Sequence, residues 1–173
     1  LPGFIASIAL IGQAAGLIAT ISGFFPAFNS FTLTIPGMAG MILSIGMGVD
    51  ANVITSGRIK EELRAGKTID SAISAGYQNG WSSILDGNIT VIIVAVILMG
   101  AFGPPDSIMS KIISPLILIG GTTATGFIYS FGYTLLIGCI FNFIMGVGAS
   151  RLMLTGISKF KALRKPWLYG GAK

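Results

Sequence analysis

Four long runs of apolar residues constrain this 173-residue chain more than any other feature. Each run can cross a hydrocarbon core of ~30 Å as a helix, because a helix rises ~1.5 Å per residue. Hydrophobic residues make up 53% of the chain, charged residues only 10%, and the mean hydropathy is +0.84. The sequence therefore predicts an all-α integral membrane protein, a polytopic helical bundle whose transmembrane spans occupy residues 1–25, 37–57, 83–102 and 128–154.

The segments between the spans differ in charge. Lysine and arginine concentrate in the connector 58–82 and the tail 155–173, whereas the loop 26–36 has no basic residue and the segment 103–127 has only Lys111. Because cytoplasmic loops are enriched in Lys and Arg, we place the connector and the tail in the cytoplasm and the other two segments outside, the longer one as an extracytoplasmic or interfacial piece. The net charge of +5 is then explained by topology, and no nucleic-acid partner is expected.

The cytoplasmic connector has a helical pattern of its own. Thr68 is placed to cap a helix, and Asp70 falls in the first turn. Small and apolar residues then recur at helical spacing, at Ile69, Ala72, Ile73, Gly76, Tyr77 and Gly80. We expect an amphipathic helix along the membrane surface, with Tyr77 and Trp81 at the level of the headgroups. Both a plain linker and a coupling element fit this pattern.

One carboxylate, Asp50, interrupts the second span. A charged residue at the centre of a membrane helix costs about 2.5 to 3.5 kcal/mol on insertion scales, so it usually marks an ion or proton pathway. Asp50 shares a helical stripe with Gly46, which leaves a notch through which another helix can approach. Apart from Arg151 near the end of the fourth span, no cation lies within the spans. We therefore expect that Asp50 is protonated for much of the time, or that its partner lies outside this chain.

A related pattern occurs at the start of the third span. Asp50 and Asn52 in VDANVI correspond to Asp86 and Asn88 in LDGNIT, and antiparallel spans would place the two pairs at similar depths. Residues two apart on a helix point about 200° away from each other, so each Asn faces away from the partner of its Asp. We expect Asn52 to form an interhelical hydrogen bond. Asp86 lines up with Thr90 and is either a relay carboxylate or a helix cap.

Small residues predict where the helices approach each other closely. Gly40, Ser44 and Gly48 form a small-xxx-small row on the second span, and the fourth span contains several glycines. Asn142 interrupts the fourth span, and a packing hydrogen bond is the favoured interpretation for its side chain.

Enzyme chemistry is not expected from this sequence. Cys139 is the only cysteine and there is no histidine, so an internal disulfide is excluded and a transition-metal site is poorly supported. No Walker A loop, HExxH motif or nucleophile with its base is present. The expected requirement is a proton gradient and no cofactor. A sodium gradient is the alternative, because Asp, Asn and Thr oxygens also suit a hard cation.

Several segments carry a resemblance to a known family. GMGVDANVITSGRIKEELRAGKTIDSAISAGYQNGWSSILDGNIT, at 46–90, resembles the membrane region of SecD, a family of protein-export subunits within the RND superfamily. LTIPGMAGM at 33–41 and SFGYTLLIG at 130–138 extend the resemblance over most of the chain. Ser56 and Gly57 depart from it, since the family usually has a bulky Phe and an acidic Glu there.

The resemblance implies a fold, partners and site residues. The four transmembrane helices would belong to an RND-type six-helix half, and the chain would begin inside a longer protein whose large extracytoplasmic domain precedes it. The implied partners are SecF, separate or fused, the SecYEG translocon with accessory membrane subunits, the translocating polypeptide and the lipid bilayer. The implied location is the cytoplasmic membrane of a bacterium or archaeon, as a multi-pass protein. Asp50 and Asp86 would carry the protons that drive polypeptide translocation, with Gly46, Asn52, Asn88 and Thr90 in support.

Two other functions are compatible with the same residues. An RND-type exporter of lipids or small molecules would also use an intramembrane Asp on a glycine-rich helix, although RIKEELRAGK favours SecD. A non-transporting scaffold would use Asp50 and Asp86 only to hold helices together by hydrogen bonds. Asn at both positions would then preserve activity, whereas a proton carrier would fail.

Overall fold

A computed structural model describes residues 1–24, 34–103, 125–160 and 166–170. Within these ranges the chain is helical and contains no strand, so the predicted all-α class is confirmed. The helices are α1 (Pro2–Ile21), α2 (Ile35–Arg64), α3 (Ile69–Phe102), α4 (Thr125–Phe141), a π-helical segment (Asn142–Ala149), α5 (Ser150–Ser158) and a short 3₁₀ turn (Pro166–Tyr169). Most of the predicted loop 26–36, most of the segment 103–127 and much of the tail 155–173 lie outside the described residues.

The helices form four membrane-crossing rods. α4, the π segment and α5 follow one another without a break, and we call them together the fourth helix. All four rods are long and apolar enough to cross a membrane. α2 has 30 residues and α3 has 34, so at ~1.5 Å per residue both extend beyond a hydrocarbon core of ~30 Å. The chain is therefore a multi-pass membrane protein.

A tight turn joins α2 to α3. α2 ends at Arg64, and Gly66 follows with φ of +87°, a conformation that residues with a side chain rarely adopt. Lys67 Nζ lies 2.6 Å from Glu62 Oε2 and ties the turn back onto α2. Thr68 occupies the predicted N-cap position of α3, although its side chain makes no capping hydrogen bond. This turn fixes α2 and α3 as antiparallel neighbours.

The helical part of the connector is the first portion of α3, and the expectation of a separate helix on the membrane surface is wrong. No proline interrupts the sequence between Ile69 and Phe102, so the helix continues without a break. The face predicted from helical spacing is real, and all six of its residues are buried: Ile69, Ala72, Ile73, Gly76, Tyr77 and Gly80. That face packs against other helices of the chain, so Tyr77 is buried, while Trp81 stays 44% exposed.

Small residues set the close contacts between helices, as the sequence predicts. α4 packs against both α2 and α3, and α1 packs against α2 and the π segment. A Cβ added at Gly40 would meet the Thr134 side chain, and one added at Gly138 would meet Ser44. Glycine at these positions therefore lets α2 and α4 approach each other closely.

Polar and apolar residues are distributed as in a membrane protein. The buried face of α2 consists largely of small and polar residues, including Ser44, Asn52 and Thr55. Its outer face carries large apolar side chains such as Ile42, which is 72% exposed, and Val53, which is 63% exposed. Lipid is as apolar as leucine, so the helices associate through packing and hydrogen bonds instead of through hydrophobic burial.

The chain also has an apolar cluster near the α2–α3 turn. It includes Ile59 from α2, Ile73 from α3, Leu154 from α5 and Tyr169 from the 3₁₀ turn. Burial raises the pKa of the Tyr169 hydroxyl, and the Asp70 carboxylate raises it further. The cluster holds the ends of α2, α3 and the fourth helix together on the side of the membrane where we place the cytoplasm.

Candidate functional site

Asp50 lies on the outward face of α2 and is exposed. A Cβ added at Gly46 or at Gly57, on the same face, would meet nothing within 4 Å, so the notch predicted beside the carboxylate is open. In the part of the chain that the structure describes, Asp50 forms neither an ion pair nor a side-chain hydrogen bond. The carboxylate therefore faces away from the interior of the four-helix bundle, toward the surroundings of α2.

Asp86 is level with Asp50 on the neighbouring helix. Gly76 packs against Ile59 and Gly80 packs against Thr55, which fixes the antiparallel register of α2 and α3. The same register places position 50 opposite position 85, next to Asp86. Asp86 and Thr90 are both exposed, and the Thr90 hydroxyl donates to the Asp86 main-chain oxygen at 3.1 Å. Two exposed carboxylates thus lie at a similar depth on neighbouring helices.

Asn52, two residues after Asp50, points into the bundle. Its Oδ1 accepts a hydrogen bond of 2.9 Å from the Ser150 hydroxyl on α5, and its Nδ2 donates to the Gly48 main-chain oxygen at 2.9 Å. The Tyr77 hydroxyl donates to Ser150 Oγ at 3.2 Å. One buried chain of hydrogen bonds therefore joins α3, α5 and α2, and Asn52 forms the interhelical bond that the sequence predicts.

Asn88 also points into the bundle, away from Asp86. Its Oδ1 accepts a hydrogen bond of 3.0 Å from Asn142 Nδ2, and its own Nδ2 donates to the Ile84 main-chain oxygen at 2.7 Å. The packing hydrogen bond predicted for Asn142 is confirmed. Asn142 is the first residue of the π segment, and its Oδ1 is buried without a hydrogen-bond partner.

The sequence interpretation missed Gln13, a buried amide on α1. Its side chain is fully buried on α1, where Nε2 donates to the Ser44 main-chain oxygen at 2.9 Å and the amide packs on Gly48. The available signal was a lone amide within a 20-residue apolar helix. In lipid such an amide needs a partner on another helix, so Gln13 could have been assigned to the interior.

The arrangement separates two roles on one helix. The interior face of α2 is held by hydrogen bonds between neutral groups, and the outward face carries the ionisable group. A change in the charge of Asp50 would therefore act on a neighbouring surface without breaking the bonds that hold the bundle together.

The fold and these residues define an RND-type membrane protein with several spans. A solved structure described as SecDF in a super-membrane-facing form matches with a TM-score of 0.71 and 31% sequence identity, over 90% of this chain and 18% of that chain. The family model described as MMPL family matches residues 5–102, more than half of the sequence. The chain belongs to the MMPL family.

Curated relatives agree with this assignment. The SecD protein translocase subunit of Leptotrichia buccalis is 37% identical over 99% of this chain and 36% of its own length. The SecD subunit of Thermobaculum terrenum is 35% identical over 100% of the chain and 29% of its own length, and that of Prochlorococcus marinus is 38% identical over 95% and 28%. The resemblance to SecD is confirmed. The chain spans about a third of the length of these relatives.

Proposed function

We propose that this chain is the membrane portion of a SecD-like subunit that uses the proton motive force to assist polypeptide translocation across the cytoplasmic membrane. The similarity to SecD subunits over nearly the whole chain supports the Sec-associated role. The similarity to SecDF supports a partner unit of the SecF type, fused or separate. The SecYEG translocon and the translocating polypeptide are the further partners that this role requires, and the chain itself makes or breaks no covalent bond.

The position of Asp50 carries the proposal for proton coupling. Its carboxylate is exposed at mid-helix on α2, it has no partner within the described part of the chain, and Gly46 leaves room beside it. In a membrane such a group needs either a proton or a partner on a second unit. The ionised form would attract polar or cationic groups of the partner unit, and protonation would remove that attraction.

The energy of one proton is sufficient for such a switch. Moving one elementary charge through 100 mV supplies about 2.3 kcal/mol. Complete coupling would change the ratio of two packing states by roughly fiftyfold. Asp86 lies at the same depth and would serve as a relay carboxylate, because its side chain is exposed and unpaired in the described residues.

The test measures export into inverted vesicles that contain the full-length protein. Asp50→Asn should lower proton-driven export by about tenfold or more, Asp50→Glu should retain a part of it, and Asp86→Asn should lower it less than Asp50→Asn. Glu61→Gln is the matched control, since Glu61 is an exposed carboxylate on the same helix that pairs with Arg58 at 2.9 Å. The control should export at the parental rate.

Separate collapse of the two gradients identifies the coupling ion. Loss of export on collapse of the proton gradient supports the proposal, and loss only on collapse of the sodium gradient assigns the coupling to sodium. Parental export by the Asp50→Asn, Asp86→Asn double variant would favour the scaffold interpretation and exclude a titrating role.

A further inference from the structure

A groove opens between α3 and the fourth helix, near the α2–α3 turn. It has a volume of about 470 Å³. Ser74 and Gln78 on α3 and Arg151 on α5 form its polar end, and Trp81 and Phe143 form its apolar end. None of the residues to which we assign proton coupling lines this groove.

The polar end contains a cation that is held in place from one side. The Arg151 guanidinium carbon lies 5.8 Å from the centre of the Tyr77 ring, and the Tyr77 hydroxyl is fixed by its hydrogen bond to Ser150. In the described part of the chain the guanidinium forms no ion pair or hydrogen bond. A guanidinium has five N–H donors, so Arg151 is positioned to bind an anion in the groove.

The apolar end continues into the membrane. The Trp81 and Phe143 rings are 6.0 Å apart and inclined by 60°. Phe143 precedes Arg151 by eight residues, which places it deeper along the fourth helix. Ile140 lies three residues deeper still on the same helix and is 44% exposed. The order from the membrane surface inward is therefore a cation with polar side chains, then aromatic rings, then aliphatic side chains.

This order matches the order of groups in a phospholipid. A phosphate prefers an arginine at the membrane surface, the glycerol region lies at the depth of aromatic rings, and acyl chains pack on aliphatic side chains. We propose that the groove binds one anionic phospholipid, with its phosphate on Arg151 and an acyl chain running past Trp81 and Phe143. This inference does not depend on the proposed transport function.

The neighbouring cavity sets the direction in which the lipid lies. On the far side of Arg151 a second cavity of about 550 Å³ is lined by Asp70 and Ser158, and the Ser158 hydroxyl donates to Asp70 Oδ1 at 3.0 Å. The carboxylate would repel a phosphate there. The headgroup is therefore directed to the side of Arg151 that faces Trp81.

The test counts lipids retained by the full-length protein after delipidation, measured by native mass spectrometry with phosphatidylglycerol or phosphatidylcholine added back. The parental protein should retain one phosphatidylglycerol in preference to phosphatidylcholine. Arg151→Gln should lower this retention about fivefold, the effect of one arginine near an anionic surface. Arg58→Gln is the matched control, because Arg58 is an exposed arginine already paired with Glu61. It should retain the lipid like the parental protein.

A second variant tests the apolar part of the groove. A Cβ at Gly148 would meet only the Phe143 main-chain oxygen, at 3.4 Å, so Gly148→Leu can fold while it reduces the space in the two cavities that Gly148 lines. We expect it to lower phosphatidylglycerol retention with an unchanged size-exclusion profile. Equal retention of both lipids, undiminished retention by Arg151→Gln and Gly148→Leu, or competition by inorganic phosphate alone would each overturn the proposal.

Discussion

Asp50 and Asn52 show how two residues of one motif serve different surfaces. They are two positions apart, and the helix turns them to opposite sides, so Asp50 is exposed and Asn52 is 5% exposed. Asn52 is bound to Ser150, which is also bound by Tyr77. The asparagine therefore helps to hold in place the helix that carries Asp50. Its replacement should lower the stability of the protein more than it lowers proton coupling.

A double-mutant cycle tests this assignment. Asn52→Ala and Ser150→Ala should each destabilise the full-length protein, with a coupling energy of about 0.6 kcal/mol and a ceiling of about 1.7 kcal/mol, as for other hydrogen bonds within membranes. The measurement is the unfolding midpoint in mixed detergent. The pair Thr90→Ala and Ser150→Ala is the control, since Thr90 is exposed on a different helix and, among the described residues, its hydroxyl bonds only the Asp86 main-chain oxygen. Additive effects of Asn52→Ala and Ser150→Ala would contradict the assignment.

At the scale of the helices, contacts between small residues determine how the bundle packs. Gly138 on α4 lies directly against Ser44 on α2, and Leu17 on α1 is 3.2 Å from the position of an added Cβ. Ser44 Oγ is in turn bound to the Gly40 main-chain oxygen at 2.8 Å. Three helices thus meet at Gly138. Even the methyl group of an alanine there would force the backbone of a neighbouring helix to move.

Gly138→Ala should therefore destabilise the protein by about 1 to 3 kcal/mol, the usual cost of overpacking. Gly156→Ala is the matched control on the same rod, because nothing lies within 4 Å of an added Cβ there. The control should be neutral or stabilise the helix by up to about 1 kcal/mol, since alanine has the higher helix propensity. Thermal unfolding of the full-length protein measures both. Equal effects of the two substitutions would show that Gly138 is not a packing contact.

Much of this packing could be predicted from the sequence, and the reasons for the exceptions are physical. Helical spacing identified the buried face from Ile69 to Gly80 correctly. A helix that lies on a membrane surface and a helix that packs against another helix both have apolar residues at the same spacing of about 3.6 residues. The pattern alone could not say which of the two covers that face. The tertiary neighbour decides it: Tyr77 packs in the apolar cluster with Leu154, 77 residues away, and its hydroxyl bonds Ser150.

The π segment also could not be predicted from the sequence. Asn142–Ala149 contains two glycines and no proline, which is equally compatible with an α-helix. Its first residue, Asn142, bonds Asn88, 54 residues away in the sequence, and a sequence pattern does not reveal such a contact. The roles of Asp50 and Asp86 stay predictions, because a titrating contact is defined by the unit that faces them. The chain shows that these two carboxylates lie at a similar depth and that both are exposed on the surface of the bundle.

At the scale of the whole molecule, one membrane topology must be consistent with both the charge distribution and the helix lengths. The α2–α3 turn with Lys67 and the end of α5 with Lys159 lie at the same end of the bundle, as the apolar cluster around Ile59 and Leu154 requires. The start of α4 lies at the other end. The positive-inside rule predicts that the first end is cytoplasmic, and the carboxylates of Asp50 and Asp86 would then lie nearer to that surface.

Cysteine accessibility tests this topology in intact cells and inverted vesicles. Lys67→Cys and Phe160→Cys should react with a membrane-impermeant maleimide only in inverted vesicles, because both positions are exposed at the cytoplasmic end, Phe160 at 65%. Gly126→Cys, exposed at the start of α4, should react only in intact cells. The native Cys139 is fully buried and serves as the internal control, reacting only after denaturation. Labelling of Lys67→Cys and Phe160→Cys from opposite sides would mean that α3 and the fourth helix do not both cross the membrane. The shared depth of the two carboxylates would then lose its basis.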